Sequence, residues 1–491
     1  MCNDQRDRQH ENTSSWTNAD MDHECAQSNC QKSGTASTLA SWITHLRYAD
    51  IPVEVLRHSK ACLLDSVACI IAGMNSHPST VIRDVLRRGQ GSSDAVSVPG
   101  TDLRMGVLGA SYLGAQAANL LDFDDSSRAG APGHPGATVV PPALALAEER
   151  GVFGTDLLRA IVIGYEVSLR IGRAVQASPE RKRAVLGFSA WQTFGTVAAA
   201  ASLMGLTQAR IVNAFGLAGA QAPLPSIRKF VDGDPPFSWI KNCYGIASEV
   251  GMLSAMLAER DFLGNQEIFD GDTGFWVMSG SDRYRPELAV EGLGNRWMIL
   301  NVGFKPYACC RWTHTLLDCL RLLAAPLRAE TIVNVDVHGF RELTQGLKIP
   351  LPKSVIDAQF NARYLAALEL TGRSPEYGIS EADLIEPAVI DLASRIHLYH
   401  DAAADKAYFE EGALPVRVLI TCESGLVLSA NAEWPSGSSE AGGFPDEALN
   451  RKFLATVSTI LGGDKAIRAL DMIRDLENWS AGDLLRNLVT S

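Results

Sequence analysis

Between residues 51 and 73 the apolar side chains Val53, Leu56, Leu63, Leu64, Val67, Ile70 and Ile71 recur at intervals of three and four. That spacing puts them on one face of a helix and predicts an amphipathic helix ending near Gly73. Asp50 stands where a cap is expected, and Pro52 falls in the first turn, where its missing N–H would have no partner anyway. The same reading predicts helices at about 106–121, 138–149, 156–175, 192–204, 208–220 and 246–260. Their faces are crowded with Ala, Gly and Ser, and small side chains let helix backbones approach closely, so an all-helical bundle is expected.

The period changes after about residue 328. Residues 331–338 alternate apolar and polar as a half-buried strand does, and 414–422 with 425–431 read as a hairpin around Glu423-Ser424. A helix at about 355–370 lies between these strands, and helices at 446–461 and 465–476 follow. The fold is expected to be mainly α, with a large all-helical domain over 37–275 and a smaller α+β domain with interdomain segments over 276–440. Helices in 441–491 are expected to return to the helical domain. Residues 1–36 mix Asn, Gln, Ser, Asp and His without an apolar block and read as a disordered extension, neither signal peptide nor anchor. The uncharged run 186–209 contains Ser189, Gln192, Thr193 and four consecutive alanines, which suits a buried helix better than a membrane span.

Composition narrows the function. With 44 Lys+Arg against 56 Asp+Glu over 491 residues, the net charge of −12 excludes a generally basic nucleic-acid binder. The ten cysteines lack the dense, even spacing of a secreted scaffold and form no Cys-x-x-Cys. A reducing, cytoplasmic setting is therefore expected, without a zinc or iron–sulfur site. No Walker loop, dinucleotide fingerprint, kinase set or Gly-x-Ser-x-Gly elbow is present, so no nucleotide cofactor is expected.

Three segments could carry chemistry. In the first, Asp122, Asp124 and Asp125 close a predicted helix at its negative end, where each carboxylate costs about 0.3–1 kcal/mol relative to a neutral side chain, so something else must favour them. Asp122 and Asp125 are spaced to share a helix face, and the Gly/Pro-rich stretch that follows can bring His134 back over the helix end. A carboxylate beside a histidine orients the ring and favours its charged form, which suits proton transfer. A solvated helix end with a loop histidine fits the same residues. A metal held by Asp122, Asp124 and His134 is not expected, since no second histidine or glutamate stands nearby at ligand spacing. The second segment packs Lys305, Tyr307, Arg311 and His314 among apolar residues, a composition able to hold small carboxylates; an interdomain structural loop is the alternative. Cys309 and Cys310 within it read as small packing residues. The third places Lys241 just before a Gly/Ala-rich helix, where a cation can help receive an anion.

In this order the segments resemble the MmgE/PrpD family over about residues 37–485. The marks are Leu63-Leu64-Asp65-Ser66-Val67-Ala68, Asp122-Phe-Asp-Asp125 with His134-Pro135, Gly164-Tyr-Glu-Val167 and Gly195-Thr-Val-Ala-Ala-Ala200. Further along come Gly271-Asp-Thr-Gly-Phe275, Lys305-Pro-Tyr-Ala-Cys-Cys-Arg311 with His314, and Asp357-Ala-Gln-Phe360. The resemblance implies a helical domain with an α+β lid, a site between them, a homodimer, no metal or organic cofactor, and a small di- or tricarboxylic acid as substrate. It also implies catalytic roles for Asp122, His134 and Lys305, and places Ser126 at the family's hydroxyl position and Lys241 near its basic one. Tyr307, Arg311 and His314 complete the expected substrate-binding set. Two departures stand out. No additional histidine occurs in 126–133, and Ser189 follows Gly187-Phe188 where many members carry a histidine. The expected activity is a cofactor-independent lyase resembling cis-aconitate decarboxylase. Dehydration of a 2-methylcitrate-like or alkylcitrate-like acid, epimerisation of a dicarboxylic acid, and a non-catalytic binding subunit are the alternatives.

Overall fold

Where the apolar face of residues 53–74 leads is visible in the computed structural model, which describes residues 34–87, 95–127, 132–185, 187, 189–224, 230, 233–327, 330–349 and 351–490. The expected extension lies outside the described residues as far as Ser33. Helix α1 (Thr35–His45) already begins inside it, anchored by Asp270, which accepts from the Thr35 N–H at 3.0 Å and its Oγ1 at 2.6 Å. Helix α2 (Val53–Met74) buries Val55, Leu63, Leu64, Val67, Ile70 and Ile71. Asp50 does not cap it. Its carboxylate is taken by the backbone and guanidinium of Arg47, and Pro52 stands at the cap position.

Helices α3 (His77–Arg87), α4 (Val107–Leu120), α5 (Pro135–Arg150), α6 (Gly154–Ala174), α7 (Pro179–Val185), α8 (Ser189–Met204), α9 (Gln208–Gln221) and α10 (Tyr244–Glu259) complete the first part. Their small residues allow the crossings. A Cβ on Gly164 of α6 would lie 2.9 Å from the carbonyl of Gly195 on α8, and one on Gly73 of α2 would lie 2.0 Å from the carbonyl of Ala117 on α4. Neither position admits a side chain without separating its helices. The uncharged segment is α8, with a buried face throughout, and among the described residues no helix is long and apolar enough to cross a membrane.

The second part opens with α11 (His314–Leu327), which packs on a four-stranded mixed sheet. Strands β1 (Ile332–Gly339), β2 (Ile396–His400), β3 (Val416–Cys422) and β4 (Val427–Ala432) run in the order β2-β1-β3-β4. The β1–β2 pair is parallel and the other two are antiparallel. Alternation works as period two requires: Val335 and Val337 of β1 and Val416, Val418 and Ile420 of β3 are buried. The predicted helix at 355–370 is broken into Val355–Gln359 and α12 (Ala362–Leu370), because the Asn361 side chain accepts from the Tyr364 N–H and caps a new helix. Helix α13 (Pro387–Ala393) precedes β2, and α14 (Ala402–Glu410) follows it. At the C-terminal end α15 (Asp446–Leu461) and α16 (Gly463–Arg474) pack on α2, and α17 (Ala481–Leu488) on α5.

Candidate active site

The acidic run earns its position by dividing its charges. Helix α4 ends at Leu120, and Asp122 takes a left-handed backbone, φ 48°, which a short polar side chain tolerates better than most. The turn points its carboxylate at two cations: Oδ1 is bonded to the Lys241 ammonium and lies 3.1 Å from Lys305 Nζ, which also donates to the Asp122 carbonyl at 2.7 Å. Asp124 instead faces back along α4 and accepts from Asn119 Nδ2 at 3.0 and 3.1 Å. Asp125 turns inward to the Tyr165 hydroxyl at 2.6 Å and the Gly136 N–H at 3.1 Å. All three are buried. Asp122 and Asp125 therefore share no helix face, contrary to the spacing argument, because the helix has already stopped.

His134 is the residue before α5, and its main chain is held on both sides by one amide. Gln192 Oε1 accepts the His134 N–H at 3.1 Å, Gln192 Nε2 donates to the His134 carbonyl at 2.6 Å, and Tyr244 donates its hydroxyl to the same Oε1 at 3.1 Å. The ring Nδ1 lies 2.8 Å from the Asp125 carbonyl and 3.5 Å from Asp124 Oδ2. A carbonyl only accepts, so Nδ1 carries the proton and the lone pair of the neutral ring is at Nε2. Asp124 and the Asp125 backbone thus orient the ring; Asp122, expected to do so, is engaged by the lysines.

The electrostatics follow from burial and these partners. Burial pushes the Asp122 carboxyl up, but Lys241 and Lys305 outweigh it and hold the group well below the ordinary range. Asp124 is pushed up to about 6 by burial, against the pull of Lys305 and Lys241. Asp125 is driven well above the carboxylate range by burial and by Asp65. His134 is held well below the ordinary histidine value by burial and by repulsion from Lys241 and Lys305. Burial opposes the charge on Lys305, yet Asp122 and Asp124 keep it raised.

Ligand atoms of Asp122, Asp124 and His134 lie within 4.8 Å of one another. They nonetheless suit a metal badly: the Asp122 oxygen is already shared by two ammonium groups and His134 Nδ1 is a donor to a carbonyl.

A cavity of about 370 Å³ opens beside this cluster, its wall formed by Asp122, Ser126, His134, Lys241, Arg311 and Phe360 on one stretch and by Lys182, Arg283, Arg285 and Tyr408 on another. Ser126 reaches it because residues 126–127 pair antiparallel with 302–303; its Oγ is buried and has no hydrogen-bond partner among the described residues. Lys241 lies 5.4 Å from the Phe360 ring centroid. Arg311 presents its side chain to the cavity while NH1 donates to the Ser436 carbonyl at 3.2 Å. Lys305, Tyr307 and His314 are different. All three are essentially without exposure and absent from this wall. Tyr307 donates to Asp318 at 2.9 Å, and His314 Nε2 sits 3.1 Å from the Cys309 carbonyl. Composition could not separate residues that face a cavity from residues behind its wall, and the structure places Lys305, expected to be catalytic, and Tyr307 and His314, expected to bind substrate, behind it. Ser189 also lies off the wall; its Oγ accepts the Cys243 N–H at 3.0 Å and fixes the turn leading into α10.

Gln192, Tyr244, Asp65 and Lys452 were not foreseen as parts of the site. Asp65 did fall in a quoted family segment, but Lys452 arrives from α15 with no local signal. If Gln192 aims His134, then Gln192→Leu is expected to lower turnover on the order of 10- to 100-fold with little change in KM, as steady-state kinetics would register.

The MmgE/PrpD N-terminal domain matches residues 37–287, and the MmgE/PrpD C-terminal domain matches 307–478. The chain belongs to the MmgE/PrpD family. Among curated members it is 26% identical over 477 residues to a cis-aconitate decarboxylase-like protein of Aspergillus oryzae, covering 89% of this chain and 94% of that one. It is 24% identical to a cis-aconitate decarboxylase of Aspergillus terreus over 93% and 96% of the two chains. The cis-aconitate decarboxylase of Homo sapiens is 23% identical over 92% and 94%. Membership in this family of lyases fits the two matched domains and the mainly helical fold with its C-terminal mixed sheet.

Proposed function

We propose that this protein is a decarboxylase of a small polycarboxylic acid, resembling cis-aconitate decarboxylase, in which His134 transfers the proton. The observation that carries the reading is the histidine itself: a buried ring with its Nδ1 proton committed to a carbonyl, beside lysines that keep it neutral and on the wall of a cation-bearing cavity. A polyanion entering that cavity would meet Lys241, Arg311 and the Ser126 hydroxyl, and its negative charge would offset the lysine field on the ring. Binding then raises the proton affinity of His134, so the ring gains a proton at Nε2 as substrate arrives. When the carbon–carbon bond breaks, carbon dioxide leaves, the bonding electrons stay on the substrate carbon framework, and the Nε2 proton quenches them. Asp122 holds Lys241 in place through their ion pair.

Dehydration is the second reading, favoured by one feature: in the neutral ring Nε2 is a base, able to remove a carbon-bound proton while hydroxide leaves with a proton. Incubation in deuterium oxide with cis-aconitate and, separately, 2-methylcitrate distinguishes the two. Decarboxylation should release carbon dioxide and leave deuterium at the quenched carbon, whereas an alkene formed with all carboxylates retained would replace it by dehydration. Turnover is expected to survive exhaustive chelation, since the lysines already occupy the Asp122 carboxylate. Loss of turnover on chelation, restored by one added metal, would remove the proton-transfer mechanism.

A further inference from the structure

The cavity wall has a second stretch that proton transfer at His134 does not use. It is built around the C-terminal end of α6, where the Arg285 N–H donates to the Ala174 carbonyl at 3.0 Å, and Arg283 donates through Nε to the Gln176 carbonyl at 2.8 Å and through NH2 to the Ala177 carbonyl at 3.0 Å. Both arginines line the cavity. Arg283 spends part of its fork on the main chain, which fixes its charge in position. Arg285 does not. Its Nε is shielded from solvent without a partner, and its guanidinium forms no hydrogen bond or ion pair with the described residues.

Shielded guanidinium donors are ordinarily matched by acceptors, and a planar fork is matched best by a carboxylate taken in two parallel bonds. Glu410 and Glu411 also line this stretch, but both are exposed, and among the described residues neither pairs with Arg283 or Arg285. In a chain of net charge −12, a guanidinium on a cavity wall that pairs with no carboxylate among the described residues is an unfilled requirement. We propose that Arg285, supported by Arg283, is a second carboxylate subsite, which makes the enzyme selective for substrates bearing a carboxylate beyond those held by Lys241, Ser126 and Arg311. The inference rests on the polycarboxylate reading above and extends it: a tricarboxylate engages both stretches, while a short dicarboxylate engages only the first.

The test is calorimetric titration of the whole protein with tricarballylate, which has three carboxylates, and with succinate, which has two. Arg285→Gln is expected to weaken tricarballylate binding at least about tenfold and leave succinate binding unchanged, with Arg285→Lys intermediate because it keeps the charge and loses the fork. Lys241→Gln should weaken both probes. Equal effects of Arg285→Gln on the two probes, or none on either, would overturn the subsite. If that happened while Lys241→Gln still weakened both, the polycarboxylate reading would stand without it. A wild-type protein that bound neither probe would overturn both. Inorganic phosphate displacing tricarballylate from the wild type, but not from Arg285→Gln, would overturn the carboxylate assignment in favour of a phosphate. Thermal melts of each variant check that the fold is intact.

Discussion

His134→Ala should lower turnover at least about 100-fold with a small effect on stability, because positioned proton transfer contributes 10²–10⁴ and Asp124, 3.5 Å from the ring, keeps its two hydrogen bonds from Asn119 when the ring is lost. Its main-chain clamp by Gln192 survives the substitution. Asp122→Asn should match that loss of turnover for a different reason, and it should also weaken the fold. Lys305 has no exposure and its ammonium relies on Asp122, so a neutral amide leaves a buried charge uncompensated, a change that typically costs about 3–5 kcal/mol. The pH dependence identifies the cause. In the wild type Lys305 is raised above its ordinary value, so its contribution to stability is complete at neutral pH and is lost only as pH rises through that raised value. Without Asp122, burial would dominate and depress Lys305; the unfolded chain would then bind the proton better, and stability would increase with pH up to about 10. Urea denaturation across pH 7–10 should therefore show Asp122→Asn gaining stability where His134→Ala does not. Normal turnover in both variants would end the assignment of the site.

The contrast between these variants marks where the sequence was legible. Helical period located α2, α15 and the small-residue helices closely, since burial of one face is written into the spacing. Alternation located β1 and the β3–β4 hairpin for the same reason. Neither pattern predicts α1, α3, α7, α11, α13, α14, α17 or β2; α7, α13 and β2 are short, and α14 is short and mixed in polarity. The acidic run and His134 were recognisable because three carboxylates at a helix end contradict the helix dipole and call for an explanation. What each of them does was not recognisable. Asp122, Asp124 and Asp125 are near neighbours in sequence, yet each meets partners that come from elsewhere in the chain or from a different turn, and only the left-handed backbone at Asp122 separates them. In the same way Lys305 and Arg311 share a segment, but the first faces inward and the second the cavity. The two arginines of the proposed subsite carry no motif at all, because the meaning of Arg285 lies in the partner it lacks.

Lys452→Met is expected to be the most destabilising single change near the site, although the residue touches no part of the cavity wall. Its ammonium donates to Asp65 Oδ1 at 2.7 Å, to the Phe123 carbonyl at 2.7 Å and to the Lys305 carbonyl at 3.1 Å, and lies 3.6 Å from the centroid of the Phe123 ring. One buried cation on α15 thereby joins α2, the acidic turn and the segment that carries Lys305. Methionine fills similar space but strands two carbonyls and a carboxylate, and removing one partner of a buried pair typically costs about 3–5 kcal/mol. Burial already raises Asp65 above the ordinary carboxylate value, with Lys452 pulling against it. Removing Lys452 would raise it further, so the variant favours a protonated Asp65. A group raised in the folded state contributes fully below its unfolded value, near 4, and loses that contribution as pH climbs through the raised one. The deficit of Lys452→Met should therefore be smaller at pH 5 than at pH 8 by chemical denaturation. Adding Asp65→Asn should recover part of the stability and flatten the pH dependence, because the stranded charge is gone while the orphaned carbonyls remain. A deficit that ignored pH, with no recovery in the double variant, would mean that Asp65 and Lys452 do not act as a pair, and that the tie between α15 and the acidic turn runs through the carbonyls alone.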